Sequence, residues 1–248
     1  RDILKSSLLE TITKIASLIS DLHEFGPSEK KMEEHMTITE FINKKYDCKK
    51  SDEYLKKIIH KIFNVYSNNN TKKIIQERMI VIITLLEKTA HDIVEIMKKI
   101  EDFWIEYDAA SEKLNLSDTG LYGITYTDLK SKMHQFSEQY SDYFYDFLNH
   151  TSQIMDMYFL RRFIDKTYVT NGIVYTGGYH TIDIIHMLIN KFDFELTHSS
   201  VNKLSITDLN KNIKNIKYER FFQETKNLLC PDIFGQCVDL TGFPESYT

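Results

Sequence analysis

One stretch of the chain, Tyr168 to His198 (YVTNGIVYTGGYHTIDIIHMLINKFDFELTH), changes character three times in a fixed order. Ile173, Val174 and Tyr175 are apolar and β-branched or aromatic, and Thr176, Gly177 and Gly178 break the run. Ile182, Ile184, Ile185, Leu188 and Ile189 then recur at helical spacing, and Phe192 to Thr197 is extended in character. Strand, glycine turn, helix, strand is the order of a βαβ unit, whose strands run parallel through a right-handed crossover. A strand that is apolar along its whole length is one buried on both faces.

Two strands do not make a stable parallel sheet. The expectation is therefore that further strands precede Arg1, and that the helical part is inserted between the two halves of the sheet. The expected fold class is α/β and helix-dominated: a small parallel βαβ-containing sheet, N-terminal strands missing, with a large helical bundle insertion. Residues 1–150 read as the helical bundle, and residues 151–248 as a C-terminal α/β part with an irregular tail.

The helical part is written in apolar stripes. Leu4, Leu8, Ile12, Ile15, Ile19 and Leu22 mark a helix over 2–22, ended by Gly26-Pro27. Ser28 caps a second over about 29–45, and Ser51 a third to about Tyr66. Ile75, Met79, Ile82, Leu86, Ala90, Ile93, Met97, Ile100 and Trp104 lie on one face over about 72–107, predicting the longest helix. Another helix runs from Thr127 towards Asn149, with Phe136, Tyr140, Tyr143, Phe144 and Phe147 as core aromatics, and a separate one covers 154–166. A short helix within 204–217 and one over 218–229 complete the reading.

Composition narrows the partners. With 27% charged residues and a net charge of −5, the chain has no basic footprint for nucleic acid. Its longest apolar run, Met79 to Leu86, is far too short to span a bilayer. Cys48, Cys230 and Cys237 are too few for a disulfide framework or a four-ligand zinc site. They read as free thiols of a reducing compartment, with a Cys230–Cys237 disulfide as the alternative, and no metal site is expected.

Ligands of open parallel sheets sit outside the carboxyl ends of the strands. Gly177, Gly178, His180 and Thr181 would lie there. His180, near a helix start, would stay neutral and could act as base, donor or ligand; Asp183, three residues on, could orient its ring. His198 follows the second strand and would emerge at the same sheet edge. Each histidine has a plain alternative, a helix cap for His180 and a polar loop residue for His198. Asp156, Arg161, Arg162 and Asp165 form a second cluster: either a buried ion pair locking helix to sheet, or, through an Arg such as Arg162, a hold on an anionic ligand.

The order of Asp156, Tyr158, Leu160 and Arg162, then Ile173, Val174, Tyr175, Gly177 and His180, then Cys237, Asp239 and Leu240 resembles uncharacterised proteins encoded by giant DNA viruses. The strand–Gly–x–x–His element is in turn similar to the erythromycin-esterase, ChaN-like and TraB superfamily, whose C-terminal Gly-x-x-His works with an N-terminal Gly-Glu-x-His. That N-terminal motif is absent here. The resemblance implies a viral protein of the host cytoplasm or the virion that keeps this fold for non-catalytic contact with a viral or host protein. A hydrolase-like or metal-dependent enzyme using His180 is one alternative, and a module binding haem or another small molecule is another. No cofactor is identified, and the oligomeric state is left open.

Overall fold

The computed structural model describes residues 2–26, 53–113, 126–199, 204–216 and 221–229, and these divide into two compact units, Arg1–Asp165 and Lys166–Thr248. The expected second helix over 29–45 and all three cysteines lie outside the described residues.

In the first unit, α1 (Asp2–Phe25), α2 (Glu53–Asn64), α3 (Asn69–Lys113) and α4 (Tyr126–Ile164) pack side by side. The stripes do what their spacing requires. Leu8, Ile12, Ile15, Ile19 and Leu22 of α1 are buried, as are Ile75, Met79, Ile82, Leu86, Ala90, Ile93, Met97 and Ile100 of α3. A side chain every three to four residues places one apolar face against the neighbours, and burial of that face holds the helix. α3 has 45 residues and no break, so it extends about 67 Å. It touches all three of the other helices. α1 ends where Gly26 donates its N–H to the Leu22 carbonyl at 2.8 Å. A Cβ at residue 26 would meet that carbonyl oxygen at 2.7 Å, so this position needs glycine.

Polar pairs fix the helices laterally. Thr11 Oγ1 and Tyr140 OH lie 2.9 Å apart between α1 and α4, and His23 Nε2 lies 2.7 Å from the buried Glu87 carboxylate between α1 and α3. Phe103 of α3 meets Phe136 of α4 edge to face at 5.8 Å. α4 is one helix of 39 residues where two were expected. Asn149, Thr151 and Ser152, near the expected break, are poor helix formers. Thr151 Oγ1 instead bonds back to the Phe147 carbonyl, which lets the helix run through.

The second unit holds α5 (Gly178–Lys191), α6 (Ile206–Asn215) and α7 (Phe221–Leu229), which pack on one another around Ile182, Met187, Ile189, Leu209 and Ile213. Ser205 caps α6, accepting from the Asp208 amide at 3.1 Å and donating to its carboxylate at 2.7 Å. Asn190 of α5 donates to the Ile213 carbonyl at 3.2 Å and so ties α5 to the end of α6.

The expected α/β fold with a parallel βαβ sheet is overturned: among the described residues there is no strand. Ile173 is 74% exposed and Tyr175 fully so, whereas a parallel strand would bury both. Three apolar residues suit a strand only if a neighbour takes their backbone groups, and spacing cannot supply that neighbour. The second expected strand is held differently. Leu196 N–H donates to Asn210 Oδ1 at 2.9 Å, and Asn210 Nδ2 donates to the Leu196 carbonyl at 2.9 Å. One side-chain amide thus makes both bonds that a facing strand would make.

Candidate functional site

The expected site maps to the start of α5. Gly177 is its N-cap, with φ −64° and ψ 159°, and no side chain caps the helix there. Neither Gly177 nor Gly178 has a positive φ, and a Cβ on either would meet nothing within 4 Å. The glycines therefore allow the turn but are not demanded by it. Thr181 does bind here: its N–H donates to the Gly177 carbonyl at 3.0 Å, and its hydroxyl lies 2.8 Å from that of Thr176. These bonds staple the entry to the helix.

His180 is half-buried in the first turn of α5, while Asp183 and His186 are buried one and two turns on. His198 is exposed in the irregular segment after α5. The sheet edge that was to bring His180 and His198 together does not exist among the described residues. Arg162 belongs to α4 in the first unit, where it is exposed and lays its guanidinium 5.9 Å from the ring centre of Tyr158.

Its neighbours in the second cluster work structurally. The Asp165 carboxylate, 2% exposed, accepts from the Ser67 amide at 2.8 and 2.9 Å and from the Asn68 amide at 2.8 Å. Arg161 Nε donates to the Val65 carbonyl at 2.7 Å, with its guanidinium 5.5 Å from the centre of the Tyr66 ring. Burial pushes the Tyr66 phenol up, the Arg161 charge opposes this, and its hydroxyl donates to the Ile62 carbonyl. Asn68 itself caps α3, accepting from the amides of Asn70 and Thr71 at 2.8 and 3.1 Å. The C-terminal end of α4 thus clasps the turn between α2 and α3. The Asp165 and Arg161 side chains both bond to backbone groups of that turn, and among the described residues there is no sheet for the cluster to lock a helix to.

A further polar seam between α3 and α4 escaped the sequence reading. Burial first, then the charges of Arg78 and Lys88, hold the His150 imidazole down to about 4. Burial and the neighbouring Asp142 raise the Asp146 carboxyl above its usual range, with Lys88 pulling the other way and Asp92 adding to the rise. Arg78 reaches across to Gln153 at 3.2 Å. The signal was within reach, since Asp142, Asp146, His150 and Gln153 recur at helical spacing. Placing a helix end near Asn149 hid it.

A cleft of about 380 Å³ in the second unit is lined by Asn212, Asn215, Ile216, Glu224, Asn227 and Leu228. Among the described residues no helix is long and apolar enough to cross a membrane.

Comparison with known proteins bears on this arrangement. "Uncharacterized protein R706" of Acanthamoeba polyphaga mimivirus is 30% identical over 266 residues, covering 98% of this chain and 59% of the relative. "Uncharacterized protein R161" of the same virus is 28% identical over 200 residues, covering 79% of this chain and 44% of the relative. The chain thus spans about half the length of the curated relatives it matches. No solved structure matches it. The likeness to giant-virus proteins stands, whereas nothing supports the likeness to the erythromycin-esterase, ChaN-like and TraB superfamily, which rested on a strand before Gly177. A family model described as "Family of unknown function (DUF5847)" matches residues 3–248, and the chain belongs to that family.

Proposed function

We propose that this chain is a non-catalytic interaction module that meets a viral or host protein through the segment leading into α5, in the host cytoplasm or the virion. The observation that carries this reading is the exposure of Tyr168, Ile173, Val174, Tyr175 and Tyr179 within twelve consecutive residues. Large apolar side chains held in water are costly, and grouped together they mark contact surfaces. Tyrosine is also among the residues that most often carry interface energy. The enzyme reading had its motive in a strand presenting His180 over a crevice, and the extended, solvated segment before α5 gives it no such support.

The test starts from proteins crosslinked to the chain during infection, each purified and titrated against it. Replacing Ile173 and Tyr175 together by Ser should weaken at least one such complex tenfold or more, with the thermal midpoint unchanged because both side chains are already in solvent. Unchanged affinity for every partner would remove the segment from the interface. A hydrolytic activity of the parent chain lost in His180→Ala would replace the interaction reading by the enzyme one.

A further inference from the structure

α4 is apolar on two sides. One side carries Ile154, Met157 and Leu160 into the core of the first unit. The other carries Phe144, Leu148, Thr151, Met155, Tyr158 and Arg162, at steps of four, three, four, three and four residues. Those steps are the a and d positions of a heptad seam. Phe144, Leu148 and Met155 are 36%, 44% and 48% exposed, Thr151 and Tyr158 are half-buried, and Arg162 is exposed. The seam runs about 27 Å along the helix.

We propose that this seam is a self-association surface, on which the α4 helices of two copies pair antiparallel about a two-fold axis near residue 153. The steps read the same from both ends, so a reversed copy presents an a position to every d position. Phe144 then meets the partner's Arg162, Leu148 meets the partner's Tyr158, and Thr151 meets the partner's Met155. Charge selects this orientation. A parallel pair would set Arg162 against the partner's Arg162, whereas the antiparallel pair sets it over an aromatic face. Arg162 is already laid along the seam over its own Tyr158, so its charge sits at the edge of an aromatic surface. The strip is about 27 Å by about 10 Å, small for a specific interface, so the dimer should form and dissociate with concentration.

Sedimentation velocity on the whole chain from about 1 to about 200 µM tests this, a range that brackets affinities of a small interface. The parent should shift from monomer to dimer across the range. Phe144→Lys, which sets two cations together, should raise the dissociation constant at least tenfold, and Arg162→Glu should also weaken the pair. The double variant F144K/R162E should restore it. Within one copy those residues are about 27 Å apart, too far for their charges to meet, so restoration can come only from a second copy. Met155→Glu, at a more exposed site, should dissociate the dimer in case Phe144→Lys disturbs the helix. A parent that stays monomeric at the highest concentration would overturn the proposal. So would a dimer indifferent to Phe144→Lys and Met155→Glu. A monomer whose thermal midpoint drops in Met155→Glu would show that the chain itself covers the seam, and would overturn it too.

Discussion

The buried Asp165 carboxylate accepts from two backbone amides that have no helical partner, those of Ser67 and Asn68. Asp165→Ala would remove both charge-assisted bonds, at a cost of about 2 kcal/mol because water can reach the exposed turn, and Asp165→Asn, which keeps one acceptor oxygen, should cost about half as much. Reversible urea unfolding reads both, and equal losses would show that the packing of the side chain matters more than its acceptance. His150 predicts a pH effect. In the unfolded chain its imidazole protonates near 6.5, but in the folded chain only near 4. Between those values the unfolded state takes up a proton that the folded state refuses, so stability falls as pH drops through that window and levels off below it. Asp146, whose folded carboxyl lies above its usual range, gains its proton first in the folded state and offsets part of the loss at the acid end. His150→Leu should flatten the fall of the thermal midpoint between pH 6.5 and 4, and an unchanged slope would place the acid response elsewhere. Spacing could have aligned His150 with Asp142 and Asp146 on one helix, but it could not name the partners of either residue. That Asp165 bonds to residues nearly a hundred positions away, or that Arg78 faces His150, depends on which helices meet, and the sequence pattern fixes only the face each helix buries.

At the scale of elements, long repeats were legible and short runs were not. The stripe from Ile75 to Ile100 repeats an apolar residue over seven turns, and only a helix satisfies it. Ile173 to Tyr175 is three residues long, and the same triplet serves a buried strand or an exposed contact segment. The helix after it was legible, and its two ends give a prediction. Gly177 already has N-cap geometry but no side chain to accept from the first turn, so Gly177→Asp should add about 0.5 kcal/mol. Asp193 closes the other end at φ 55°, between Phe192 and Phe194, whose amides both donate to the Leu188 carbonyl. Asp193→Gly should relieve that left-handed residue by about 1 kcal/mol. Thermal midpoints of the two variants and their combination measure this. A drop for Gly177→Asp would mean that something approaches the glycine turn closely after all.

At the scale of the whole molecule, the two compact units differ in how they are built. The first is a helical bundle whose core followed from its stripes, and the second is a smaller helical cluster preceded by an exposed apolar segment. The expected site was drawn mainly on the second unit with the logic of a parallel sheet; among the described residues there is no such sheet, and there Gly177 and Thr181 staple the entry to α5, His180 is half-buried in its first turn, Asp183 is buried and His198 is exposed. Asp165 has one more consequence, for the order of events on the ribosome. It is the last residue of the first unit, and its bonds reach back 98 residues to Ser67. At a synthesis rate of about 5–20 residues per second, about 5–20 s pass between the emergence of Ser67 and that of Asp165. Through that interval the long third helix can form, but the turn at its head has only the local Asn68 cap, and the apolar faces of α1 and α3 wait for α4. The nascent chain is therefore open to chaperones, or to premature contact with its neighbours on a polysome, until Asp165 has been made.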